Sequence, residues 1–421
     1  MHRSVAVGAA VVAVAGLVLA GCTPGPEPAI HVEGSPDRFL DPVHVTLTGL
    51  PPGEDVQVRS EVRSDLTWTS SATYTADDEG RVDLDTATPR DAPFDEPDGT
   101  GLFWTLAPAG AEPAAAEADT WFVREHTVRL TARVDGEDVA SADLHRLDAV
   151  SQVRVEPVEQ AGIVGRWAVP AAWDGTAPDG PVPAVLVFGG SEGGIAAAES
   201  EAAVVAYRGY PALAISYFGS PGQPATLDEV PVETFLRALD WLRAQPGVDP
   251  ERILTYGTSR GGEMALWLAA HRPDLVHGAI APVGAHALMC SPDDCGPAWS
   301  LGGEPLEHLG VGSVSDYPPG DVPEGSPLVP VEDIRGPVVL ACGGQDALWS
   351  SCTYAVHAST RLDDLRPGDH ELVYEPDADH YVASAPMVPW GLDDPATAQA
   401  THRARLAFSA ALDDALRRSV R

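Results

Sequence analysis

The stretch that decides the fold is Ile253-Leu254-Thr255-Tyr256-Gly257-Thr258-Ser259-Arg260-Gly261-Gly262. Its first four residues are mostly apolar and predict a buried strand, and residues 262–271 predict a helix. The pattern G-x-S-x-G of residues 257–261 therefore lies where a strand turns into a helix. Such a turn presents a serine as an exposed nucleophile, and its glycines leave room for a strained backbone. The alternative interpretation is a glycine-rich turn with an inert serine.

The sequence on both sides of this turn alternates between apolar runs and helical stretches. Alternation of strand and helix predicts a mostly parallel sheet with helices on both faces. The predicted strands are residues 184–188, 212–216, 278–282, 338–341 and 372–374. The predicted helices are residues 234–244, 262–271, 355–365 and 398–417. Residues 284–333 lack a regular pattern, and a loop of this length predicts a lid.

A serine hydroxyl needs a histidine to accept its proton and a carboxylate to orient that histidine. Asp346 lies just beyond the predicted strand 338–341, and His380 lies beyond the predicted strand 372–374. Both follow Ser259 in the chain, in the order serine, acid, histidine that is typical of α/β-hydrolases. The sequence therefore predicts Ser259, Asp346 and His380 as a catalytic triad.

Other acids and histidines fit the triad less well. Asp377 and Asp379 are the competing acids, but they lie too near His380 in sequence to orient its ring easily. The competing histidines flank or interrupt predicted helices, and they are His271, His277 and His357.

An oxyanion formed at the substrate carbonyl needs two backbone N–H donors. Arg260, the residue after the nucleophile, is the first predicted donor. The second is predicted in the glycine-rich loop 189–194, directly after a strand, with Ser191 favoured and Gly190 next. A phosphate-binding loop is the alternative for residues 189–194. It is weaker, because the spacing is not G-x-G-x-x-G and no P-loop lysine is present.

Residues 30–150 have a different pattern from the rest of the chain. Short alternating strands separated by turn residues predict a β-sandwich of immunoglobulin-like type. The full prediction is an α/β fold in which a β-sandwich (residues 30–150) precedes a doubly wound, mostly parallel α/β-hydrolase sheet (residues 151–421).

The first 22 residues predict a lipoprotein signal peptide. A short basic start and a small-residue apolar run (residues 5–20) precede Leu19-Ala20-Gly21-Cys22, which resembles a bacterial lipobox. The run is shorter than the ~20 residues that span a bilayer, which argues against a transmembrane helix. We expect lipidation at Cys22, a Pro/Gly linker over residues 23–29, and a location on the outer face of the cell membrane. Ordinary cleavage and free secretion is the alternative.

Four cysteines remain beyond Cys22, in two close pairs. In an oxidising compartment this even number favours disulfides, pairing Cys290 with Cys295 and Cys342 with Cys352. Four free buried thiols are the alternative. No cysteine or histidine spacing matches a zinc site, and we expect neither a metal nor a cofactor.

The charge excludes two classes of partner. The chain has 62 acidic residues against 26 basic ones, giving a formal net charge of -36. Such a surface repels nucleic acid and anionic lipid headgroups. We therefore expect a small-molecule substrate, no nucleic acid, and membrane attachment only through the N-terminal lipid.

With these features placed, the chain resembles the acyl-CoA thioesterase and bile acid-CoA:amino acid N-acyltransferase family from about residue 30 to 415. The segments that carry the resemblance are residues 42–45, 48–53, 101–104, 231–242 and 259–263. The resemblance implies thioester hydrolysis by serine, histidine and aspartate. Family members that transfer acyl groups to amino acids carry cysteine at the nucleophile, whereas this chain has Ser259.

The sequence thus predicts an exported hydrolase of acyl thioesters or esters that works through an acyl-Ser259 intermediate. Coenzyme A is a cytoplasmic carrier, so the leaving group is open for an exported protein. A serine peptidase and an acyltransferase to an amine or alcohol are alternatives on the same fold. A surface adhesin that uses the β-sandwich alone would not need an intact triad.

Overall fold

The computed structural model describes residues 26–35, 40–64, 66–108, 125–146, 152–160, 162–176, 180–310, 318–389 and 394–420. The predicted signal peptide and Cys22 lie outside these ranges. In the part of the chain that is described, no helix is long and apolar enough to cross a membrane.

Strands occur in two groups along the chain. The first group is β1 Ala29–Gly34, β2 Val43–Thr48, β3 Asp55–Arg63, β4 Thr67–Thr75, β5 Val82–Asp83, β6 Ala107–Pro108, β7 His126–Val134 and β8 Glu137–Arg146. The second group is β9 Val153–Gln160, β10 Ile163–Pro170, β11 Val182–Phe188, β12 Ala212–Ser216, β13 Val230–Pro231, β14 Val248–Gly257, β15 Gly278–Pro282, β16 Trp299–Leu301, β17 Glu304–Pro305, β18 Val338–Gly343 and β19 His370–Glu375. The helices are α1 Gly101–Trp104, α2 Ala196–Tyr207, α3 Glu233–Arg243, α4 Arg260–His271, α5 Ser351–Leu365 and α6 Pro395–Ser419.

Eight strands of the second group form a sheet in the order β19-β18-β15-β14-β11-β12-β10-β9, and the other three form a small separate sheet in the order β13-β16-β17. The strands from β19 to β12 are parallel, and β10 runs antiparallel to both β12 and β9. The chain passes from β11 outward to β12 and then returns to add β14 on the other side of β11. This reversal opens a crevice at the carboxyl ends of β11 and β14, where ligands bind in open α/β sheets. The arrangement is an α/β-hydrolase fold.

Both faces of this sheet are buried. Along β11, Leu186 and Phe188 belong to the apolar cluster on one face, whereas Val185 and Val187 belong to the cluster on the other. Successive strand side chains point to opposite faces, so an unbroken apolar run is what a doubly covered strand requires. The predicted parallel sheet follows from these runs.

The first group forms two antiparallel sheets. One has three strands in the order β1-β2-β5, and the other has five in the order β6-β4-β3-β7-β8. Inward-facing side chains of both sheets, among them Val45 and Val58, share one apolar cluster. Outward-facing neighbours such as Gln57 are exposed, which is the period-two pattern that predicted strands here.

Two of the differences from the sequence prediction concern the large sheet and the helices that cover it. Helix α2 was missed because its sequence, rich in alanine, has little contrast between an apolar and a polar face. The sequence of residues 153–169 predicts a hairpin that bridges the two parts of the chain, but this hairpin, β9–β10, is the antiparallel edge of the eight-stranded sheet. Its antiparallel pairing to β12 attaches it directly to the parallel strands.

Helix α6 connects the end of the chain to the N-terminal sheets. Asp394 caps its first turn by accepting a hydrogen bond from the Thr397 amide at 2.8 Å. The Gln399 side-chain oxygen accepts from the Asp95 amide at 2.9 Å, and the His402 ring stacks on Trp104 with centroids 4.8 Å apart. Burial lowers the pKa of His402 to about 4, so the ring is neutral at pH 7.

Candidate active site

Ser259 lies at the sharp turn between β14 and α4. Its backbone has φ 56° and ψ -118°, a strained conformation for a residue with a Cβ. The Ser259 amide donates to the Pro282 carbonyl at 3.0 Å, which fixes the turn against the end of β15. A strained serine held between strand and helix is the geometry expected of a nucleophile.

Two glycines make this turn possible because other chain segments come very close to them. A Cβ added to Gly257 would lie 2.2 Å from the Gly261 carbonyl oxygen, and one added to Gly261 would lie 2.3 Å from the Gly189 carbonyl oxygen. Both contacts are with backbone atoms, which cannot move aside as a flexible side chain can. The pattern G-x-S-x-G is therefore required by packing at this turn.

Asp346 and His380 meet at the same edge of the sheet. The Nδ1 atom of His380 donates to Oδ2 of Asp346 at 2.7 Å, and the two side chains are 9% and 2% exposed respectively. Asp346 also accepts from the Leu348 amide at 3.0 Å, the Trp349 amide at 3.2 Å and the Ser351 hydroxyl at 2.7 Å. These donors hold the carboxylate in an orientation that faces the imidazole. The Nε2 atom of His380 is left as the proton acceptor.

The competing acids take other positions. Asp379 accepts a hydrogen bond from the backbone amide of His380 at 2.6 Å, so it braces the main chain and not the ring. Asp377 is exposed on the loop after β19. Ser259, Asp346 and His380 follow β14, β18 and β19, whose carboxyl ends lie along one edge of the sheet.

The predicted oxyanion donors differ in their surroundings. Arg260 is the first residue of α4, where an amide has no partner within its own helix. Gly190 lies beside the nucleophile, since a Cβ added to it would be 3.1 Å from the Ser259 Cβ. Its amide donates to both carboxylate oxygens of Glu192, at 2.9 and 3.0 Å. Ser191 is exposed in the same turn.

Tyr217 supports this loop from beneath. Its buried hydroxyl donates to the Gly189 carbonyl at 3.0 Å and to the Gly190 carbonyl at 2.6 Å. Burial raises the pKa of Tyr217, which keeps the hydroxyl protonated as a donor. The role of Tyr217 was not predicted, because it depends on a loop that lies far away in the sequence.

A buried carboxyl group lies behind the nucleophile. Glu201 of α2 accepts a hydrogen bond from the Thr258 hydroxyl at 2.6 Å, one residue before Ser259. Burial, opposed by this hydrogen bond and reinforced by Glu192, raises the pKa of Glu201 to about 8. The side chain is therefore mostly protonated at pH 7.

A second buried carboxyl group connects α4 to the segment after β15. Glu263 accepts from the Met289 amide at 3.0 Å and forms an ion pair with Arg260 at 3.3 Å. The Arg260 guanidinium in turn donates to the Met289 carbonyl at 2.8 Å. Burial raises the pKa of Glu263 to about 7, although Arg260 opposes the shift. This pair holds both polar groups of the Met289 backbone, so the predicted lid segment is anchored there.

The two predicted cysteine pairs are close in space. The Cα atoms of Cys290 and Cys295 are 4.7 Å apart, and those of Cys342 and Cys352 are 5.1 Å apart. Both separations lie within the range that a disulfide spans. Cys342 lies in β18 and Cys352 in the first turn of α5, so this pair flanks the loop that carries Asp346.

One group of side chains away from this site has the composition of a metal site. His44, Asp83 and Asp85 offer ligand atoms that lie within 4.8 Å of one another. His44 already forms an ion pair with Asp85, and Asp83 forms one with Arg81 at 3.4 Å. These contacts account for the cluster without a metal.

Comparison with known families gives two matches. The model for the "Acyl-CoA thioester hydrolase/BAAT N-terminal region" matches residues 41–160, and that for the "BAAT / Acyl-CoA thioester hydrolase C terminal" matches residues 230–402. Acyl-coenzyme A thioesterase 1 of Rattus norvegicus is 26% identical over 354 residues, which cover 81% of this chain and 82% of the rat protein. Mitochondrial acyl-coenzyme A thioesterase 2 of Rattus norvegicus is 25% identical over 369 residues, covering 83% and 78%.

Two solved structures match part of this chain. A putative dienelactone hydrolase from Klebsiella pneumoniae subsp. pneumoniae has a TM-score of 0.41 and 22% identity, covering 61% of this chain and 98% of its own. A bacterial heroin esterase has a TM-score of 0.41 and 19% identity, covering 64% of this chain and 85% of its own.

Proposed function

The chain belongs to the acyl-CoA thioester hydrolase/BAAT family, and from this premise we propose that it cleaves acyl thioesters or esters through a covalent acyl-Ser259 intermediate. The observation that carries the proposal is the hydrogen bond from His380 to Asp346, formed at the sheet edge that also bears the strained Ser259. A carboxylate-oriented imidazole beside a nucleophilic serine is the arrangement that acyl transfer requires.

In the first step, the Ser259 hydroxyl oxygen attacks the acyl carbon and its proton passes to Nε2 of His380. The carbonyl π bond becomes an oxyanion, held by the Arg260 amide and by a second amide from loop 189–194. As the tetrahedral intermediate collapses, the bond to the leaving sulfur or oxygen breaks. His380 then returns the proton to that atom, and the free thiol or alcohol departs.

In the second step, water attacks the acyl-Ser259 ester while His380 takes one of its protons. The carboxylic acid leaves, and Ser259 recovers its proton from His380. Asp346 stabilises the imidazolium ion formed in both steps. Because Glu192 occupies the Gly190 amide, a substrate carbonyl that uses this donor must displace the Glu192 carboxylate.

Hydrolysis is preferred over the two alternatives. By family resemblance, acyl transfer to amino acids goes with a cysteine nucleophile, and this chain has Ser259. A serine peptidase would need to expel an amine, which leaves less readily than a thiol or an alcohol. Measuring turnover of an ester, a thioester and a peptide that carry the same acyl group would separate these activities.

The test is labelling with a fluorophosphonate probe together with turnover of chromogenic acyl esters. We expect the wild-type protein to be labelled and active, and Ser259→Ala to be neither. Thr258→Ser serves as a matched control at the adjacent hydroxyl, because it keeps the hydrogen bond to Glu201. Labelling of Ser259→Ala at undiminished level would overturn the assignment of the nucleophile.

We also propose that the protein works outside the cell. The lipobox-like residues 19–22 support cleavage before Cys22 and lipidation of that residue. Disulfides Cys290–Cys295 and Cys342–Cys352 suit an oxidising compartment. We further propose that a domain boundary lies near residue 150 and that the first two sheets form an immunoglobulin-like β-sandwich.

A further inference from the structure

The loops around the candidate site have an unusual charge. Apart from the turn that carries Ser259, five segments begin at the carboxyl ends of the parallel strands: residues 189–195, 217–229, 283–330, 344–350 and 376–389, of which residues 311–317 lie outside the described part of the chain. None of the five contains an arginine, and the whole chain has no lysine. Their described acidic residues other than Asp346 are Glu192, Asp228, Glu229, Asp293, Asp294, Glu304, Glu307, Asp321, Glu324, Asp377 and Asp379.

The arginines that do approach this edge are already engaged. Arg260 is 15% exposed and forms its ion pair with Glu263 while donating to the Met289 carbonyl. Arg403 forms ion pairs with Glu375 at 3.3 Å and with Glu96 at 2.9 Å. Arg405 is buried and donates to the Tyr381 carbonyl at 3.0 Å. Each of these guanidinium groups is therefore either ion-paired or buried.

Among the described arginines for which no ion pair is found, the exposed Arg237 lies in the second turn of α3 and donates to the Thr234 hydroxyl at 3.2 Å, whereas Arg252 and Arg335 lie at the other edge of the sheet. Arg252 lies five residues before Gly257, the last residue of β14, and Arg335 lies three residues before the first residue of β18. At about 3.3 Å per strand residue, Arg252 is roughly 16 Å from the carboxyl end of its own strand. Neither residue is placed to neutralise a phosphate near Ser259.

A coenzyme A leaving group carries a pyrophosphate and a 3′-phosphate. Proteins hold such groups with arginine, lysine or clustered backbone amides, which offset the cost of stripping water from the phosphates. Here the phosphates would approach acidic loops on a protein of formal net charge -36. A field of one sign slows the approach of ligands with the same sign.

We propose that this site, acting by the acyl-transfer chemistry proposed above, takes acyl thioesters and esters whose leaving group is a thiol or alcohol without phosphate. The acyl carbon and the attack by Ser259 are unchanged. Only the chemistry of the departing group distinguishes this substrate class from acyl-coenzyme A.

The test compares butyryl-pantetheine with butyryl-coenzyme A. The two share the same thioester and pantetheine arm, and they differ only in the phosphates and the nucleoside. At about 10 mM ionic strength, where the Debye length is ~30 Å, we expect kcat/KM to favour butyryl-pantetheine by at least about tenfold. Raising the ionic strength to about 1 M should shrink this ratio severalfold, because the Debye length falls to ~3 Å.

Charge-removing variants locate the effect. Asp228→Asn with Asp293→Asn removes two exposed carboxylates from the loops at the site edge. At low salt this variant should raise kcat/KM for butyryl-coenzyme A by about two- to fivefold. The kcat/KM for butyryl-pantetheine should stay unchanged. The matched control, Asp240→Asn with Asp364→Asn, makes the same charge change late in α3 and α5. This control variant should leave kcat/KM for both substrates at the wild-type value.

The results separate this inference from the proposed function. A kcat/KM for butyryl-coenzyme A equal to or above that for butyryl-pantetheine at low salt would overturn the inference while leaving the hydrolase assignment intact. Equal gains from the site variant and its control would overturn the role of the loops. Turnover of neither thioester above the Ser259→Ala background would overturn the proposed function and this inference with it.

Discussion

At the scale of single residues, four hydrogen bonds converge on the Asp346 carboxylate, and only one of them comes from His380. Asp346→Asn replaces one oxygen with an NH₂ group that cannot accept from the His380 ring. We expect turnover to fall by about 10²–10⁴-fold, because the imidazole loses its correct tautomer. Steady-state kinetics on a chromogenic ester measures the loss.

Asp379→Asn is the matched control for this prediction. Its carboxylate binds the His380 backbone amide and does not contact the ring, so the turnover of this variant should stay within a few fold of wild type. The reverse outcome, an active Asp346→Asn and an inactive Asp379→Asn, would assign the acid to Asp379. Double variants with Ser259→Ala should lose no more than the single variant, because the three residues act as one unit.

Glu201 gives a prediction about stability and pH. Its pKa is about 8 in the folded protein, against an ordinary value of 4.5 for a glutamate side chain. Between these values the folded state binds more protons than the unfolded state, so this group lowers the free energy of unfolding as pH rises through that window. Glu201→Gln should remove this loss and raise the free energy of unfolding at pH 7 by an amount on the order of 3 kcal/mol.

Urea unfolding at a mildly acidic and a mildly alkaline pH measures the effect. The gain should be larger at the alkaline pH, where wild-type Glu201 must ionise. Glu263, with a pKa raised to about 7, will leave part of the pH dependence in place. Glu199→Gln on the same helix is the control and should change the slope little, since Glu199 pairs with Arg166 in partial contact with solvent. An identical slope in wild type and Glu201→Gln would contradict the prediction.

At this scale, the sequence predicted only those candidate site residues that directly follow the ends of strands. Ser259, Asp346 and His380 could be proposed as a triad because strand order alone brings their loops to one edge. Glu201 and Glu263 could not, because Glu201 lies in a helix that the sequence did not predict and Glu263 looks like an ordinary helix-surface acid. Their burial depends on Thr258 and Met289, which tertiary packing brings to them.

At the scale of elements, the loop between β18 and α5 carries the acid of the proposed triad. Cys342 and Cys352 are 10 residues apart and flank it. A disulfide here would contribute roughly 2–3 kcal/mol by the loop-entropy model. Its larger effect should be to keep Asp346 in register with His380, where small displacements are costly to catalysis.

The double variant Cys342→Ala with Cys352→Ala should therefore lose more activity than its loss of folding stability can explain. The activity is measured as kcat, and the stability as the thermal midpoint. Cys290→Ala with Cys295→Ala is the matched control and should affect kcat less, since that pair flanks no triad residue. Peptide mapping under non-reducing conditions checks the pairing itself. Free thiols at Cys342 and Cys352, or cross-pairing with Cys290 or Cys295, would contradict the prediction.

The sequence predicted most elements of the large sheet but placed their ends less well. Helix α5 begins at Ser351, four residues before the predicted start, and the Ser351 hydroxyl donates to Asp346 at 2.7 Å. A tertiary contact of this kind has no local signal. Long apolar strands such as β11 were predicted well because burial on both faces dictates their composition.

At the scale of the whole molecule, the proposed attachment to the membrane depends on the N-terminal residues. Cys22→Ala should move the protein from the membrane fraction to the soluble exported fraction, because the lipid supplies the attachment. Fractionation followed by immunoblotting measures the shift. Cys290→Ala with Cys295→Ala serves as the control and should not alter the distribution. An unmodified Cys22 peptide in protein extracted from membranes would contradict the prediction.

The contact between α6 and the N-terminal sheets bears on the order in which the molecule can be completed. Met387, Val388 and Ala398 belong to the same apolar cluster as Val45 and Val58, so residues near the end of the chain finish the core of strands near its beginning. The ribosome, however, synthesises the N-terminal strands first and these core-completing residues near the end of synthesis. The first strands to emerge therefore keep an unfinished apolar side throughout synthesis, and the nascent chain needs protection until α6 is released.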